Sequence, residues 1–496
     1  MRHGLRAAAS TVGEVVILFP VAASVRYRFT MYLFRSHFLL IPVSLWLGGC
    51  TLPTPSGDAS MELPVAWKNA GAFPVASPSR DLARWWGHFE DPLLNRLIAD
   101  ALKANPDVSM ASARVRESRS RLEAERASLF PYVGGSASGR SGTTHTDRAG
   151  TTSSTSYSAG LDASWEADLF GQRRSTLEAA AANLGGSEET LHSVQAALAA
   201  EIATAYTGLR ANEARLDVLR RNIATREQTA DLATWRLQAG EADSLESNQA
   251  LSSLESARAG VPALQQAISQ GRNTLALLSG PNPGSLDGTL AAGRKQIPNP
   301  SRKLAIGIPA DVVRQRPDVR VAGYQLLSAA ANTRAADAAR YPSLSLSGSI
   351  GLTALRAGKI FNPETTSANI VAGLSAPIFD AGRLRANLPA TTAAEDQAID
   401  NYKATVLTAL SESENALIAC SRTAERLATL EKATALAREA DLLARQRYEA
   451  GEIDFSDVLD TQRSLLGLED SLLNTRTDRT NSYIRLYQAL GGGWSS

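Results

Sequence analysis

Alternation of apolar and polar residues marks several short stretches of the chain as β-strands. Between Tyr157 and Glu166 the odd positions are apolar or aromatic, and the even positions are small or polar. The same period of two recurs in residues 343 to 352 and again in residues 370 to 378. A weaker partner, rich in Gly and Ser, runs from 132 to 140. The pattern predicts four strands with one apolar and one polar face each.

Two much longer stretches, residues 171 to 239 and 382 to 450, have the spacing of packed helices. In the first, Leu recurs every seven residues from Leu177 to Leu198, and a second run of the same spacing joins Ile202 to Ile223. Sustained heptads indicate helices that pack against partners along their length. At 1.5 Å per residue, roughly 69 residues make a rod on the order of 100 Å long.

These elements occur twice, because the second half of the chain repeats the first at an offset of 211 residues. Pro106 matches Pro317 in this register, Pro131 matches Pro342, and Gly240 matches Gly451. Three landmarks that share one offset over more than 130 residues indicate an internal duplication.

The predicted domain organisation follows from the duplication. The first structural repeat spans 92–280, a linker 281–308, the second repeat 309–490, and a tail 491–496. Each repeat contains a short helix, two strands, a long helix and a return helix. In the first repeat, a helix from 105 to 129 and a return helix to 279 together match the length of the long helix. We therefore expect the two to stack end to end beside it, with a bend or offset at Gly260 and Pro262.

The N-terminus has the features of a secretory signal. Arginines precede a short apolar stretch that ends in Leu47, Gly48, Gly49 and Cys50. The stretch is too short to cross a bilayer as a helix, so residues 1–49 are predicted to be a removed signal peptide. Residues 50–91 then form an extended N-terminal segment. The four-residue motif resembles the lipobox of bacterial lipoproteins, which makes Cys50 the predicted lipidation site; the alternative is a free cysteine.

Composition excludes several function classes. The net charge of +1 provides no long-range field for nucleic acid, and no nucleic-acid partner is expected. Cys420 is the only cysteine besides Cys50, so no intrachain disulfide framework is expected, and its position on a helix predicts burial. His88, His145 and His192 are widely scattered. Because no catalytic, metal or cofactor motif is present, we expect no enzyme, no metal and no cofactor apart from the covalent lipid.

The predicted strands require a second copy of the chain. Four strands cannot close into a barrel, and an open sheet edge cannot lie in lipid, since its backbone groups would have no partners. Two copies would give eight strands with a filled interior, whereas three would give twelve strands and a lumen. A half-buried soluble sheet shows the same alternation, and a periplasmic coiled coil without a pore remains a rival explanation for the helices.

Four further motifs carry a family resemblance. They are Trp85 to Leu94, Arg314 to Val319, Ala376 to Arg383, and Asp457 to Arg463. In this order the chain resembles the TolC-like outer-membrane factors, in particular the lipoprotein branch that serves resistance-nodulation-division efflux systems. The resemblance covers residues 60 to 490 or so.

The resemblance implies an α+β membrane protein. Three copies would form a 12-stranded β-barrel, with four strands per chain, continued by a long α-helical barrel across the periplasm. It implies an outer-membrane exit duct for small molecules, anchored through Cys50, whose partners are a periplasmic adaptor and an inner-membrane transporter. The alternative is the outer-membrane duct of a type I protein secretion system.

Asp457, Asp460 and Arg463 form the first candidate site. Their spacing places them on one face of a helix. In a trimer the two aspartates would form rings of like charge, and the resemblance implies that they constrict the periplasmic end of the duct. The alternative is an ordinary solvated helix face.

The two helix tips form the second candidate site, where the resemblance implies contact with the adaptor. The tip residues are Arg236, Gly240, Asp243 and Ser244 in the first repeat, and Arg447, Gly451, Asp454 and Ser456 in the second. Capping of the helix turn is sufficient to explain the glycines, but it does not explain the arginines.

Overall fold

The computed structural model describes residues 60–70, 80–148, 150–293, 295–300, 307–361 and 366–494. The predicted signal peptide (1–49) and the predicted lipidation site Cys50 lie outside these residues.

Long helices dominate the described chain. The helices are α1 (Pro92–Ala104), α2 (Pro106–Ala127), α3 (Gln172–Ala239), α4 (Ser244–Ser279), α5 (Asp287–Ala292), α6 (Pro309–Gln315), α7 (Pro317–Ala338), α8 (Arg383–Glu449) and α9 (Phe455–Ala489), with short 3-10 segments at Arg80–Phe89 and Ala357–Lys359. The two predicted long helices are confirmed, with 68 residues in α3 and 67 in α8. Among the described residues, no helix has an apolar stretch of the length that a membrane crossing needs.

Four strands form one antiparallel sheet in the order β1-β2-β3-β4. They are β1 (Tyr132–Thr146), β2 (Gly150–Ala167), β3 (Ser343–Ala354) and β4 (Thr366–Ser375). The predicted strand 370 to 378 was misplaced: β4 ends before Pro377, which has no N–H for a ladder hydrogen bond.

The β1–β2 hairpin is longer than predicted and extends beyond β3, whose last partner on β2 is Tyr157. Its outer part has no apolar alternation and is joined instead by polar side chains across the ladder. The oxygen atoms of Ser141 and Thr155 lie 3.3 Å apart, and His145 Nδ1 lies 2.9 Å from the Thr151 hydroxyl. Such cross-strand pairs stabilise a ladder without an apolar face, and period-two hydrophobicity does not detect them.

The strand register brings the apolar positions of all four strands to one face. Leu161 lies opposite Gly135 on β1 and Ile350 on β3, and Leu346 lies opposite Ala372 on β4. Directly opposed residues share a face of the sheet. The other face is polar, with Ser136 donating to Asp162 at 3.2 Å. This alignment could not be read from the separate strands, because a slip of one residue would reverse it.

End-to-end stacking of the short helices is confirmed. The Asn105 side chain caps α2 and also donates to the carbonyl of Leu278, at the end of α4, at 2.9 Å. In the second repeat Arg316 donates to the carbonyl of Ala489 at 3.0 Å. Both residues of the second contact follow those of the first by 211 positions, so the same joint occurs in both repeats.

The return helix α4 is continuous, which differs from the predicted interruption at Gly260 and Pro262. Gly260 has a packing role instead, since a Cβ atom there would lie 3.1 Å from Leu219 Cδ2 on α3. The helix therefore accommodates Pro262, at the loss of one backbone hydrogen bond, while it packs closely on α3.

The main hydrophobic core lies at the joint between the stacked helices. Trp85 is fully buried and stacks on Tyr487, with ring centroids 5.2 Å apart. Leu198, Ile202, Leu209 and Leu216 of the predicted heptads join the same core. Cys420 is buried there too, as predicted. A second, smaller core lies at the helix tips around Tyr448, Phe455 and Val458.

Candidate gate and helix tips

The two long helices end in glycines with left-handed backbone. Gly240 has φ 77° and Gly451 has φ 74°, a conformation that side chains with a Cβ rarely adopt. The amide of Glu241 donates to the Arg236 carbonyl and that of Glu452 to the Arg447 carbonyl, both at 2.8 Å. These backbone bonds close each helix end, so the predicted capping role of both glycines is confirmed.

The two tips differ in how the return helix begins. Asp243 caps α4 by accepting from the Glu246 amide at 2.9 Å. Asp454, at the equivalent position, makes no side-chain capping bond to α9. Ser244 and Ser456 are both exposed.

Arg236 joins the first tip to the second. Its guanidinium lies 4.8 Å from the ring centroid of Tyr448 and 4.0 Å from the Glu246 carboxylate. The Tyr448 hydroxyl donates to the same carboxylate. Burial, together with this carboxylate, raises the pKa of Tyr448 to about 12. An arginine over an aromatic face contributes about 0.5–2 kcal/mol, depending on its exposure. Arg236 therefore has a structural role that capping does not account for.

Arg447, the equivalent arginine, is exposed and pairs with Glu452 of its own tip at 3.2 Å. Exposed ion pairs of this kind contribute little stability, because water competes for both partners. Its guanidinium is thus accessible to a binding partner, whereas that of Arg236 is largely used within the chain.

The gate candidates lie on the exposed face of α9. Asp457 and Asp460 point away from the tip core, while Val458 and Leu459 between them are buried in it. Arg463 lies 3.4 Å from Asp460 in a highly exposed ion pair. The structure therefore brings the three predicted residues together on one face. In the described part of this chain, Asp457 has no ion-pair partner.

A polar groove of about 760 Å³ adjoins this face, between α4 and α9. Asp460 and Arg463 line it, together with Asn248, Gln249, Ser252, Ser253 and Arg226. Arg226 is buried and donates to the Ser253 carbonyl at 2.9 Å. Burial and, next, the positive charge of Arg463 lower the pKa of Arg226. The gate face is thus electrostatically coupled to a buried guanidinium that sequence reasoning missed.

A second buried polar cluster lies at the main core and was also missed. Arg210 is fully buried, pairs with Glu213 at 2.5 Å and donates to the Leu290 carbonyl at 3.1 Å. It lies over the ring of Tyr206, whose hydroxyl donates to Asp91 at 2.8 Å. The available signal was a charged pair three residues apart within an apolar heptad run. Across the described residues, no group of three or more potential metal ligands is present.

Aromatic side chains cluster where the strands meet the helices. Phe170 stacks on Tyr341 with ring centroids 4.9 Å apart, and Trp165 Nε1 donates to the Leu129 carbonyl at 2.9 Å. Phe130 and Tyr132 are exposed at the same level. The aromatic band therefore lies at one border of the sheet.

Comparison with known proteins agrees with this architecture. The sequence model of the outer membrane efflux protein family matches residues 97–281 and again residues 308–492, two ranges that begin 211 positions apart. The chain is 32% identical over 458 residues to the solvent efflux pump outer membrane protein SrpC of Pseudomonas putida, covering 91% of this chain and 97% of that protein. It is also 32% identical to the pyoverdine export outer membrane protein OpmQ of Pseudomonas aeruginosa, covering 92% and 97%.

Among solved structures, the outer-membrane channel OprN has a TM-score of 0.83 at 32% identity, covering 87% of this chain and 97% of that chain. The family model covers more than half of the chain, and the curated relatives match nearly their full length. With its duplicated strand and helix units and its long paired helices, this chain belongs to the outer membrane efflux protein family.

Proposed function

We propose that three copies of this outer membrane efflux protein form a passive exit duct for small molecules. One observation carries the proposal: the sheet has an apolar face, a polar face and two edges without a strand partner in the described chain. In lipid the edges must be paired, and three copies give a 12-stranded barrel with a lumen. The polar face then lines the lumen, and the apolar face contacts lipid.

The border of the sheet supports this placement. Exposed apolar side chains such as Ile370 and Leu374 face outward on β4, with 82% and 71% exposure in the single chain. The aromatic band around Phe170 and Tyr341 corresponds to the interfacial girdle of a membrane barrel. Below it, α3 and α8 would extend the lumen into the periplasm for on the order of 100 Å.

Membrane attachment is proposed to involve Cys50 as well as the barrel. The lipobox resemblance supports acylation of the Cys50 thiol after removal of residues 1–49. An acyl chain adds about 0.8 kcal/mol per buried CH₂ group and would hold the N-terminus at the membrane surface.

The partners are proposed to meet the duct at the helix tips. Exposed Arg447, Asp454, Ser244 and Ser456 offer a polar surface to a periplasmic adaptor, and the adaptor connects the duct to an inner-membrane transporter. Asp457 and Asp460, just above the tips, form the gate. Three copies place six carboxylates around the axis, where like charges repel and attract cations.

Selection of cargo is assigned to the transporter. The similar proteins are named for solvent efflux and for pyoverdine export, although each is about as similar to this chain as the other. A duct with a broad polar lumen suits both kinds of cargo, because it makes few specific contacts.

Deletion of this protein from its bacterium tests the function. We expect accumulation of a small apolar compound such as toluene to rise several-fold, and the full chain to restore export. A Cys50→Ala chain should lose the acyl mass in mass spectrometry while it retains export, because the barrel itself spans the membrane.

Secreted proteins are measured in the same cells. Unchanged toluene accumulation, together with loss of a secreted protein, would instead assign the duct to type I secretion.

A further inference from the structure

The 211-residue offset holds for the register of the sheet as well as for the sequence. In the first hairpin Tyr132 lies opposite Ser164, and in the second Ser343 lies opposite Ser375. Each residue of the second pair follows its counterpart by 211 positions. The two hairpins are therefore copies of one another at the level of individual hydrogen-bonded rows.

The seam between the hairpins provides a template for the seam between two chains. Within the chain, β2 of the first repeat pairs with β3 of the second, so that Ala163 lies opposite Gly348. Shifting both residues by the offset, in opposite directions, leads to Leu374 on β4 and Ala137 on β1. These two strands are the edges of the sheet.

We propose that β4 pairs with β1 of a second copy of this chain in the register that places Leu374 opposite Ala137. This inference rests on the proposed homotrimer and specifies how its barrel closes. Neighbouring rows follow from antiparallel pairing: Gly373 lies opposite Ser138, and Ala372 opposite Gly139.

The register is consistent with the lengths and faces of both strands. All ten residues of β4 receive a partner, from Ser136 to His145, and β1 extends over this whole range. The long outer part of β1, which β3 does not need, is thereby used. The apolar face is continuous across the seam, since large Leu374 meets small Ala137 on the same face.

Helices below the sheet lead to the same neighbour. Within the chain, α7 packs on α3 through ion pairs of 2.6 Å between Arg334 and Glu178 and between Arg320 and Glu189. The offset converts α3 to α8 and α7 to α2, so α8 should pack on α2 of the next copy.

The charges on these two helix faces are complementary. A Cβ atom at Gly185 would lie 2.5 Å from the ring of Tyr324, which shows that these two positions touch. Their counterparts are Asp396 on α8 and Ala113 on α2, and Arg116 follows Ala113 by one turn. Asp396 and Arg116 are both exposed in the single chain, as unlike charges at a between-copy contact would be.

Paired cysteines test the register. In full-length protein purified from membranes, oxidation of Leu374→Cys/Ala137→Cys should convert the monomer band into covalently linked dimers and trimers. Within one chain β1 and β4 are three strand spacings apart, about 14 Å, which is too far for a disulfide. Native Cys420 does not interfere, because burial raises its thiol pKa to about 12. The pair Gly373→Cys/Ser138→Cys, one row away, covers the alternative hydrogen-bonding geometry of the ladder.

Matched controls locate a wrong register. Ala163→Cys/Gly348→Cys is the same pair within one chain and should cross-link without a change in size. Leu374→Cys combined with Gly135→Cys or with Gly139→Cys tests a slip of two residues in either direction, and these combinations should link at least tenfold less. Preferential linkage of a slipped pair in an intact trimer would overturn the register but leave the trimer. A monomeric mass with no linkage between chains would overturn the trimer itself.

Discussion

At the scale of single residues, equivalent positions of the two repeats have acquired different contacts on the same backbone. Asn105 and Arg316 both join stacked helices, the first with an amide and the second with a guanidinium that also pairs with Asp318. Arg236 and Arg447 end equivalent helices, but only Arg236 lies over an aromatic ring of the other tip. Side-chain function therefore depends on the neighbouring element rather than on the position in the repeat.

Arg236→Ala should loosen the two tips relative to each other. The loss of its contacts with Tyr448 and Glu246 removes about 1 kcal/mol, which corresponds to about fivefold faster hydrogen exchange at the tip amides. Exchange measured by mass spectrometry over residues 237 to 246 and 448 to 456 checks this. Arg447→Ala is the matched control and should change exchange little. Equal effects of the two variants would contradict the proposed joining role of Arg236.

At the scale of elements, the joints between stacked helices depend on close backbone approach. Gly280 ends α4 with φ 93°, and a Cβ atom there would lie 2.8 Å from the carbonyl oxygen of Ala104 at the end of α1. Gly491 has the equivalent place at the end of α9, against Arg316. A side chain at either glycine would push the stacked helices apart.

Gly280→Ala should lower thermal stability more than Gly284→Ala does. Both glycines have positive φ, so both substitutions incur the left-handed penalty of about 1–2 kcal/mol. Only Gly280 also has backbone atoms in the way, whereas Gly284 has open space. The steric overlap should cost about 1–3 kcal/mol more. Thermal unfolding followed by helical circular dichroism measures the difference, and equal melting temperatures would show that the joint can relax.

At the scale of the whole molecule, a nearly neutral chain concentrates like charge at one place on its axis. The net charge is +1, yet Asp457 and Asp460 share one exposed face of α9. In a closed assembly such residues face their own copies, and this proximity, rather than net charge, sets the local field.

Asp457→Asn with Asp460→Asn should reduce the cation selectivity of the duct. Removal of six carboxylates from the narrow end should lower the cation-to-anion permeability ratio by about twofold or more, and most at low salt. Reversal potentials across planar bilayers measure the ratio. Asp478→Asn is a matched control, since this exposed carboxylate lies on the same helix about 27 Å from Asp460. An unchanged ratio in the double variant would place the selectivity elsewhere and argue against these aspartates as the constriction.

Much of the fold was predictable from sequence because it depends on local periodicity. Period-two alternation located the sheet, sustained heptads located α3 and α8, and a constant offset revealed the duplication. Gly240 and Gly451 were correctly predicted as helix ends, since a left-handed residue is a local requirement of the backbone. The α+β class and the outer-membrane efflux family followed from these local signals and the order of the motifs.

Only the tertiary structure decided what depends on contacts between distant parts of the chain. The continuity of α4 through Pro262, the length of the β1–β2 hairpin and the burial of Arg226 and Arg210 all depend on neighbouring elements. The same is true of the strand register, which sets the lipid and lumen faces together. Sequence determined which elements form, because their periodicity is local; tertiary structure determined which residues meet, because packing and hydrogen bonding between elements have no local signature.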